Sequence, residues 1–426
     1  MIMENEILVY DFVGAISEAV DLVSPVLNNH HKRVAYLSFS IAQEIGLPND
    51  EIQDIILASM LHDIGSFSVD ERIKYLSFAP NDLDMNKHAI MGYALLKDFD
   101  PLAKAARLIR DHHEDFDRFN NDIAMGSHII NLADRASHLF DEQSEFLGQV
   151  PGILLVISEK KNIFHPEVLA AFYRLARKEY FWIEAFLPSF GAVILDKMHF
   201  PKEIVDLETL RDFARVVAQI IDFRSRFTAT HSSGVAAVAK ELSMFSGFSD
   251  RECKMMEIAG FLHDLGKLAV PNEILEKNGV LNDQEFNFVR KHTYYTYFIL
   301  NGISGFEHIA SWASHHHERP DGNGYPFHIE DRDFSKLERI MAVADMVTAL
   351  SEDRPYRAGM DRAQSERTLR SKVESGGIDR DLVELAYDNF SHINDVRINT
   401  QHNARKEYDA FHYSIYENSP VIQLAL

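Results

Sequence analysis

A histidine pattern that repeats itself is the strongest constraint on this chain. MLHDIG at Met60–Gly65 returns as FLHDLG at Phe261–Gly266, which sets His62 and His263 201 residues apart. His30 and His231 share that separation, and each is followed four residues on by a valine, Val34 or Val235. His88 answers to His292, and from each the next histidine pair lies 24 residues on, in His112-His113-Glu114 and His316-His317-Glu318. An aspartate inside an apolar run closes each set, Asp134 in NLADRASHLF and Asp345 in AVADMVTALS. Later still, IFHPEVLAAF (Ile163–Phe172) resembles GIDRDLVELAY (Gly377–Tyr387). The chain reads as a tandem duplication. Its 426 residues are enough for two domains of ordinary size.

The period inside each half is helical. Val235, Val238, Ala239 and Leu242, then Met255, Ile258, Ala259 and Leu262, fall at helix spacing. Val34, Leu37, Ile41 and Ile45, then Ile52, Ile55, Ile56 and Ser59, do the same in the first half. No series of alternating strands is evident. Turn signals are local, at Gly46-Leu47-Pro48, Asn278-Gly279 and Asp321–Gly324. The expectation is an all-α protein of two domains, residues 1–196 and 197–394. The break falls near Lys197–Pro201, and a partly helical tail occupies 395–426. With 46% hydrophobic residues both domains can fill a core. A net charge of −22 argues against a DNA- or RNA-polymer binder and against an anionic membrane surface. The single Cys253 excludes a disulfide framework and a thiolate cluster. The acidic start is unlike a signal peptide and the apolar runs are short, so a cytoplasmic protein is expected.

What could the repeated set do? A lone buried histidine is more often a hydrogen-bonded core residue than a ligand. Matched spacing across two halves shifts that balance toward metal. In the second half His231, His263, His292, His316 and His317 with Asp264 and Asp345 exceed the needs of one four-coordinate zinc. They suit two divalent ions sharing a bridging carboxylate, an arrangement that points to phosphoester hydrolysis. Lys267 follows Asp264 by one helical turn. His308, His315 and His328 fall outside the matched set and are read as structural.

These residues resemble the HD phosphohydrolase superfamily, and the second half is similar to its HD-GYP branch. The similarity is carried by His231, HDLGK at His263–Lys267, His292, HHERPDGNGYP at His316–Pro326, Asp345, and DRPYR at Asp353–Arg357. The resemblance implies two tandem HD-type helical domains, with a metal-dependent phosphodiesterase in the second. It would linearise a bacterial cyclic dinucleotide, cyclic di-GMP or 3′,3′-cyclic GMP-AMP, the latter suggested by the tandem architecture. Two iron or manganese ions are implied, bridged by Asp264, which also orients the attacking hydroxide. His231, His263 and Asp345 would complete one site, and His292, His316 and His317 the other. Phe227 stands where some relatives carry a third-metal glutamate, so a binuclear site is expected. By the same resemblance Lys267 contacts the phosphate and protonates the leaving oxygen, while Arg354 and Arg357 hold the second phosphate or a guanine face. Gly324 and Tyr325 border the substrate cleft. The resemblance also suggests a GGDEF-type signalling partner and a homodimer.

The first half keeps His30, His62, Asp63, His88, His112, His113 and Asp134 as a second metal site. It has Ser66 in place of Lys267, lacks the GYP turn, and has Gln143 and Phe146 opposite Arg354 and Arg357. It reads as a degenerate, non-hydrolytic HD domain. Two rival readings are an HD-fold di-iron oxygenase, and a metal-containing interaction module without activity.

Overall fold

A computed structural model describes residues 9–21, 29–66, 85–119, 123–141, 144–145, 147–186, 206–223, 228–275, 277, 279–353 and 358–418. The expected break at Lys197–Pro201 lies outside these residues, as do Gln143, Phe146, Phe227, Arg354 and Arg357. The regular elements of the described residues are all helical. The chain divides into two compact units, built mainly from Leu8–Lys202 and Glu203–His412.

In the first unit, α1 (Val9–Asp21), α2 (His30–Ile45) and α3 (Asn49–Leu61) are followed by α4 (Met85–Leu96), α5 (Ala103–Arg110), α6 (Met125–His138) and α7 (Pro166–Leu175). In the second, α8 (Leu207–Asp222), α9 (His231–Phe245) and α10 (Asp250–Leu262) lead to α11 (Asp283–Asn301), α12 (Glu307–Ser314) and α13 (Lys336–Ser351). Helices α14 (Arg362–Glu374), α15 (Arg380–Asp388) and α16 (Phe390–Asn418) complete it. The apolar positions picked out by period are buried in both units, apart from Ile45, which is half-buried at the end of α2. Removing such stripes from water is what holds a helix of this length in place.

Local chemistry sets where the helices begin and stop. Capping boxes start α10 (Ser249 with Glu252), α11 (Asn282 with Glu285), α13 (Ser335 with Glu338) and α14 (Asp361 with Gln364). The repeat is visible in the turns as well. Gly46 and Gly247, again 201 apart, end the equivalent helices α2 and α9 with φ of 89° and 83°. The later pair of similar segments forms α7 and α15, each packed on the helices that supply the first histidine and the closing aspartate.

Beyond residue 395 the chain continues in α16, a single helix of 29 residues that begins at Phe390. It is anchored to the second unit by polar contacts. Arg215 Nη1 reaches Glu407 at 2.5 Å, His392 reaches Glu241 at 2.7 Å, and Gln401 donates to Glu352 and to the Thr230 carbonyl. No helix among the described residues is long and apolar enough to cross a membrane.

Candidate metal centres

The His-Asp pair of each unit sits where a helix ends and the backbone turns. In the second unit α10 stops at Leu262, and His263 and Asp264 turn into a short 3-10 helix, Leu265–Ala269. That turn is pressed onto α11. A Cβ on Gly266 would lie 1.9 Å from the His292 carbonyl oxygen, so only glycine permits the approach. Gly65 has the same relation to His88, at 2.2 Å. Thr296 ties the turn down by accepting from the Gly266 amide at 2.9 Å and donating to the His263 carbonyl at 3.1 Å.

The structure brings together all seven second-unit residues expected from the sequence. Asp264 lies in the middle with its two oxygens facing different ways. Oδ2 is 3.2 Å from His263 Nε2 and 4.0 Å from His231 Nε2; Oδ1 is 3.4 Å from His292 Nε2 and 3.9 Å from His316 Nε2. Asp345 approaches His231 Nε2 at 3.3 Å. Two compact donor groups result, His231–His263–Asp264 and His292–His316–His317, each with its ligand atoms within 4.8 Å of one another.

Backbone carbonyls fix the ring orientations. Nδ1 of His263, His292 and His316 lies 2.8, 2.5 and 2.7 Å from the carbonyl three residues earlier. A carbonyl only accepts, so Nδ1 must carry the hydrogen and Nε2 of the neutral ring presents a lone pair. His292 Nε2 and His316 Nε2 then face each other at 3.1 Å, lone pair to lone pair. Burial, together with neighbouring histidines, pushes His292 and His317 down to about 3 and His316 well below its ordinary value. A proton is therefore a poor way to satisfy that pair. His263 Nε2 and Asp264 Oδ1 are also buried without a hydrogen-bond partner. Deprotonated imidazoles aimed at one point beside carboxylates held ionised are the donor set a divalent transition metal needs. Burial opposes ionisation of Asp264, but His263, Lys267 and His292 outweigh it and hold the carboxyl well below its usual range. The residues fit the metal.

Around this centre lie groups the sequence pattern did not single out. His231 Nδ1 lies 3.1 Å from Glu352, which in turn accepts from Gln401 on α16, so one ligand is oriented from a distant helix. Arg290 sits over the Tyr325 ring at 5.2 Å. Glu318, 2% exposed, accepts from the Phe327 amide at 2.6 Å and the Ile329 amide at 3.1 Å, tying the chain that leaves the DGNGYP turn back to the chain that enters it. Gly324 packs so tightly that a Cβ would meet the Arg319 nitrogen and Glu318 Cα at 2.4 Å. The turn thereby delivers the Tyr325 ring to 5.0 Å from that of His317. Lys267 Nζ is 2.5 Å from Asp264 Oδ2, its side chain 24% exposed at the edge of the cluster. His315, read as structural, is indeed held by Glu338 at 2.6 Å, away from the metal-facing rings.

The first unit builds the same cluster. His62 and His112 are locked by the carbonyls of Ser59 and Ile109 at 2.8 and 2.6 Å. His30, His62 and Asp134 form one group, and His88, His112 and His113 another. Asp63 Oδ1 reaches His88 Nε2 at 3.2 Å. Burial lowers His112 to about 3, whereas at His62 the carboxylates of Asp63 and Asp134 overcome burial and raise it to about 9, which marks a point that favours positive charge. Two histidines here have no partner in the repeat. His138 Nε2 is 3.0 Å from Asp134 Oδ1, and His31 joins His62 and Asp63 in a third group. Ser66 is buried where the other unit has Lys267.

Comparison with known proteins places these centres in a family. HD domain families match residues 28–139 and 215–382. The chain is 29% identical over 385 residues to 3′3′-cGAMP-specific phosphodiesterase 1 of Vibrio cholerae, covering 87% of this chain and 89% of that one. Over 144 residues it is 38% identical to a cyclic di-GMP phosphodiesterase of Pseudomonas aeruginosa, covering 34% of this chain and 35% of the other. Its fold is similar to the crystal structure of a cyclic GMP-AMP specific phosphodiesterase of V. cholerae. The TM-score is 0.63 at 21% identity, over 90% of this chain and 98% of that one. The chain belongs to the HD-domain family and carries two HD domains in tandem, each with its own histidine–aspartate cluster.

Proposed function

We propose that this protein is a metal-dependent phosphodiesterase that opens a cyclic dinucleotide by hydrolysing a 3′–5′ phosphodiester, with the chemistry in the second HD domain. The observation that carries this reading is the split posture of Asp264, one oxygen toward each histidine group, with Lys267 on its solvent side. When bound, divalent cations supply Lewis acidity and a nucleophile at neutral pH. His231, His263 and Asp345 would hold one, His292, His316 and His317 the other, and Asp264 both. Iron or manganese is the assignment the resemblance implies, and a set of imidazoles with carboxylates accepts either ion.

The chain's own residues do the rest. Asp264 orients the attacking water, and Lys267, partly exposed beside it, meets the incoming phosphate and gives a proton to the departing oxygen. Tyr325, set beside His317 by the Glu318-clamped turn, borders the bound base. Arg354 and Arg357 are assigned the distal phosphate or a guanine face on the sequence alone. A GGDEF-type partner and a homodimer, both suggested only by the resemblance, are assigned no surface. We take 3′,3′-cyclic GMP-AMP as the first substrate, because a relative named for it aligns through both domains. The first domain, without a counterpart of Lys267, is assigned metal retention and support rather than hydrolysis. The test compares turnover of 3′,3′-cyclic GMP-AMP and cyclic di-GMP by metal-loaded protein. Linear dinucleotide from the first at the higher kcat/KM is expected, preference for the second would reverse the substrate assignment, and turnover of neither would overturn the reading.

A further inference from the structure

His31 cannot be explained by the repeat. It follows His30 at the start of α2, is fully buried, and its Nδ1 is engaged by the carboxylate of Asp21 at the end of α1. An ionised carboxylate only accepts, so Nδ1 carries the hydrogen and Nε2 is left bare. That Nε2 has no hydrogen-bond partner, and it faces Asp63 Oδ2 at 3.9 Å. The rings of His30, His31 and His62 stand 5.3, 5.1 and 5.2 Å apart, and the donor atoms form two groups that share His62, His30–His62–Asp134 and His31–His62–Asp63. The second domain does something else with the same positions. Ser232 replaces His31, and both its amide and its hydroxyl donate to Asp222, the counterpart of Asp21, at 3.0 Å.

We infer that the first HD domain binds a transition metal in a nitrogen-rich site in which His31 is a ligand with His62 and Asp63, adjoining the His30–His62–Asp134 group. The inference rests on the reading of this domain as metal-holding. The ligand class is a borderline first-row divalent cation, because imidazoles select such ions over magnesium and calcium. Asp21 acts behind His31 as the carboxylate that fixes the tautomer and makes Nε2 a stronger donor. His138, stacked on His30 at 4.2 Å and 3.0 Å from Asp134 Oδ1, braces one of the carboxylates. An additional protein donor leaves fewer positions for water or phosphate, the character of a closed site rather than a hydrolytic one.

The test uses full-length protein carrying H263A/D264A, which removes the shared carboxylate and one histidine of the second domain's centre, so that any change on further substituting His31 reports the first domain. Cobalt(II) is the probe, followed by its visible spectrum, by metal content after dialysis against a chelator, and by the shift in melting temperature it produces. H31S installs the serine–aspartate pair around which the second domain already folds; H31Q keeps a hydrogen-bond donor for Asp21 but no imidazole. The expected result is that H263A/D264A retains cobalt. Adding either H31S or H31Q should weaken retention at least tenfold, change the spectrum and shrink the melting shift. If H263A/D264A retains no cobalt, or if both His31 variants keep its affinity and spectrum, the inference is overturned. Phosphodiesterase turnover by the parent protein decides the proposed function separately, since none of these readings depends on it.

Discussion

Glu318→Gln tests whether the DGNGYP turn is held to the metal centre by one buried carboxylate. In the parent, each carboxylate oxygen accepts from one backbone amide, Phe327 at 2.6 Å and Ile329 at 3.1 Å. Glutamine keeps the shape but turns one oxygen into an NH₂ group that faces an N–H donor. The surviving bond loses its charge assistance, a difference of roughly 1–1.5 kcal/mol, and the orphaned amide adds about 1–3 kcal/mol. The turn should therefore open more easily by about 2–4 kcal/mol. At about 1.4 kcal/mol per decade that is roughly a 30- to 700-fold rise in its local opening constant. Hydrogen exchange of metal-loaded protein reads this directly at the Phe327 and Ile329 amides, with metal content measured alongside. The expected outcome is faster exchange confined to residues 318–329, an unchanged metal load, and a lower kcat/KM as Tyr325 loses its position by His317. Unchanged protection of the two amides would refute the reasoning, because Glu318 is the acceptor for both.

Four further outcomes are expected. Asp264→Ala should abolish turnover and lower metal content in the second domain, whereas Lys267→Ala should keep its metal and lose roughly 10²–10⁴-fold in rate; metal loss by the lysine variant would cancel its assigned role. His62→Ala/Asp63→Ala should retain most phosphodiesterase activity, and a dead double mutant would move the chemistry to the first domain. Gly266→Ala should cost at least several kcal/mol of stability, or displace α11, because its Cβ would sit 1.9 Å from the His292 carbonyl; a parent-like melting curve excludes that packing. Metal-free protein should lose stability as pH falls. His292 and His317 titrate at about 3 when folded but near 6.5 when unfolded, so between those values the unfolded chain binds more protons. Between those values each such imidazole contributes a slope of about 1.4 kcal/mol per pH unit, so its stabilisation is fully present above 6.5 and is lost as pH falls; melts of chelated protein at pH 5 and 7.5 that coincide would contradict it.

Helix spacing and the doubled histidine pattern made the all-α architecture and the seven-residue second-domain cluster legible before any coordinates. Both are short-range signals, read within a turn of helix or between equivalent positions. What escaped was of two kinds. His31 and His138 have no counterpart in the other half, so a search for what repeats passes over them. Glu352, Gln401 and Arg290 act through space, and nothing in their neighbourhood in sequence announces a partner 35 to 171 residues away. The α16 helix was underestimated for a related reason. Its buried apolar residues, Ile393, Ala404, Phe411 and Ile415, are spread thinly among polar ones, and many of its contacts are salt bridges and amide bonds to α8, α9 and Glu352, so the apolar stripe is sparse.

The carbonyl three residues before each of His62, His112, His263, His292 and His316 supplies that histidine's orientation from within its own turn of chain. A ligand of this kind is self-contained: a tetrapeptide carries both the donor and the device that aims it. Centres assembled from such parts can be copied whole and then diverge, because nothing outside each tetrapeptide is needed to keep the ring pointed inward. The two halves of this chain have parted in that way. One carries Lys267 and a glycine-rich turn, while the other has Ser66 in the lysine's place and adds His31 and His138 around the same repeated histidines. Duplication here leaves a second histidine–aspartate cluster free to take up a different chemistry.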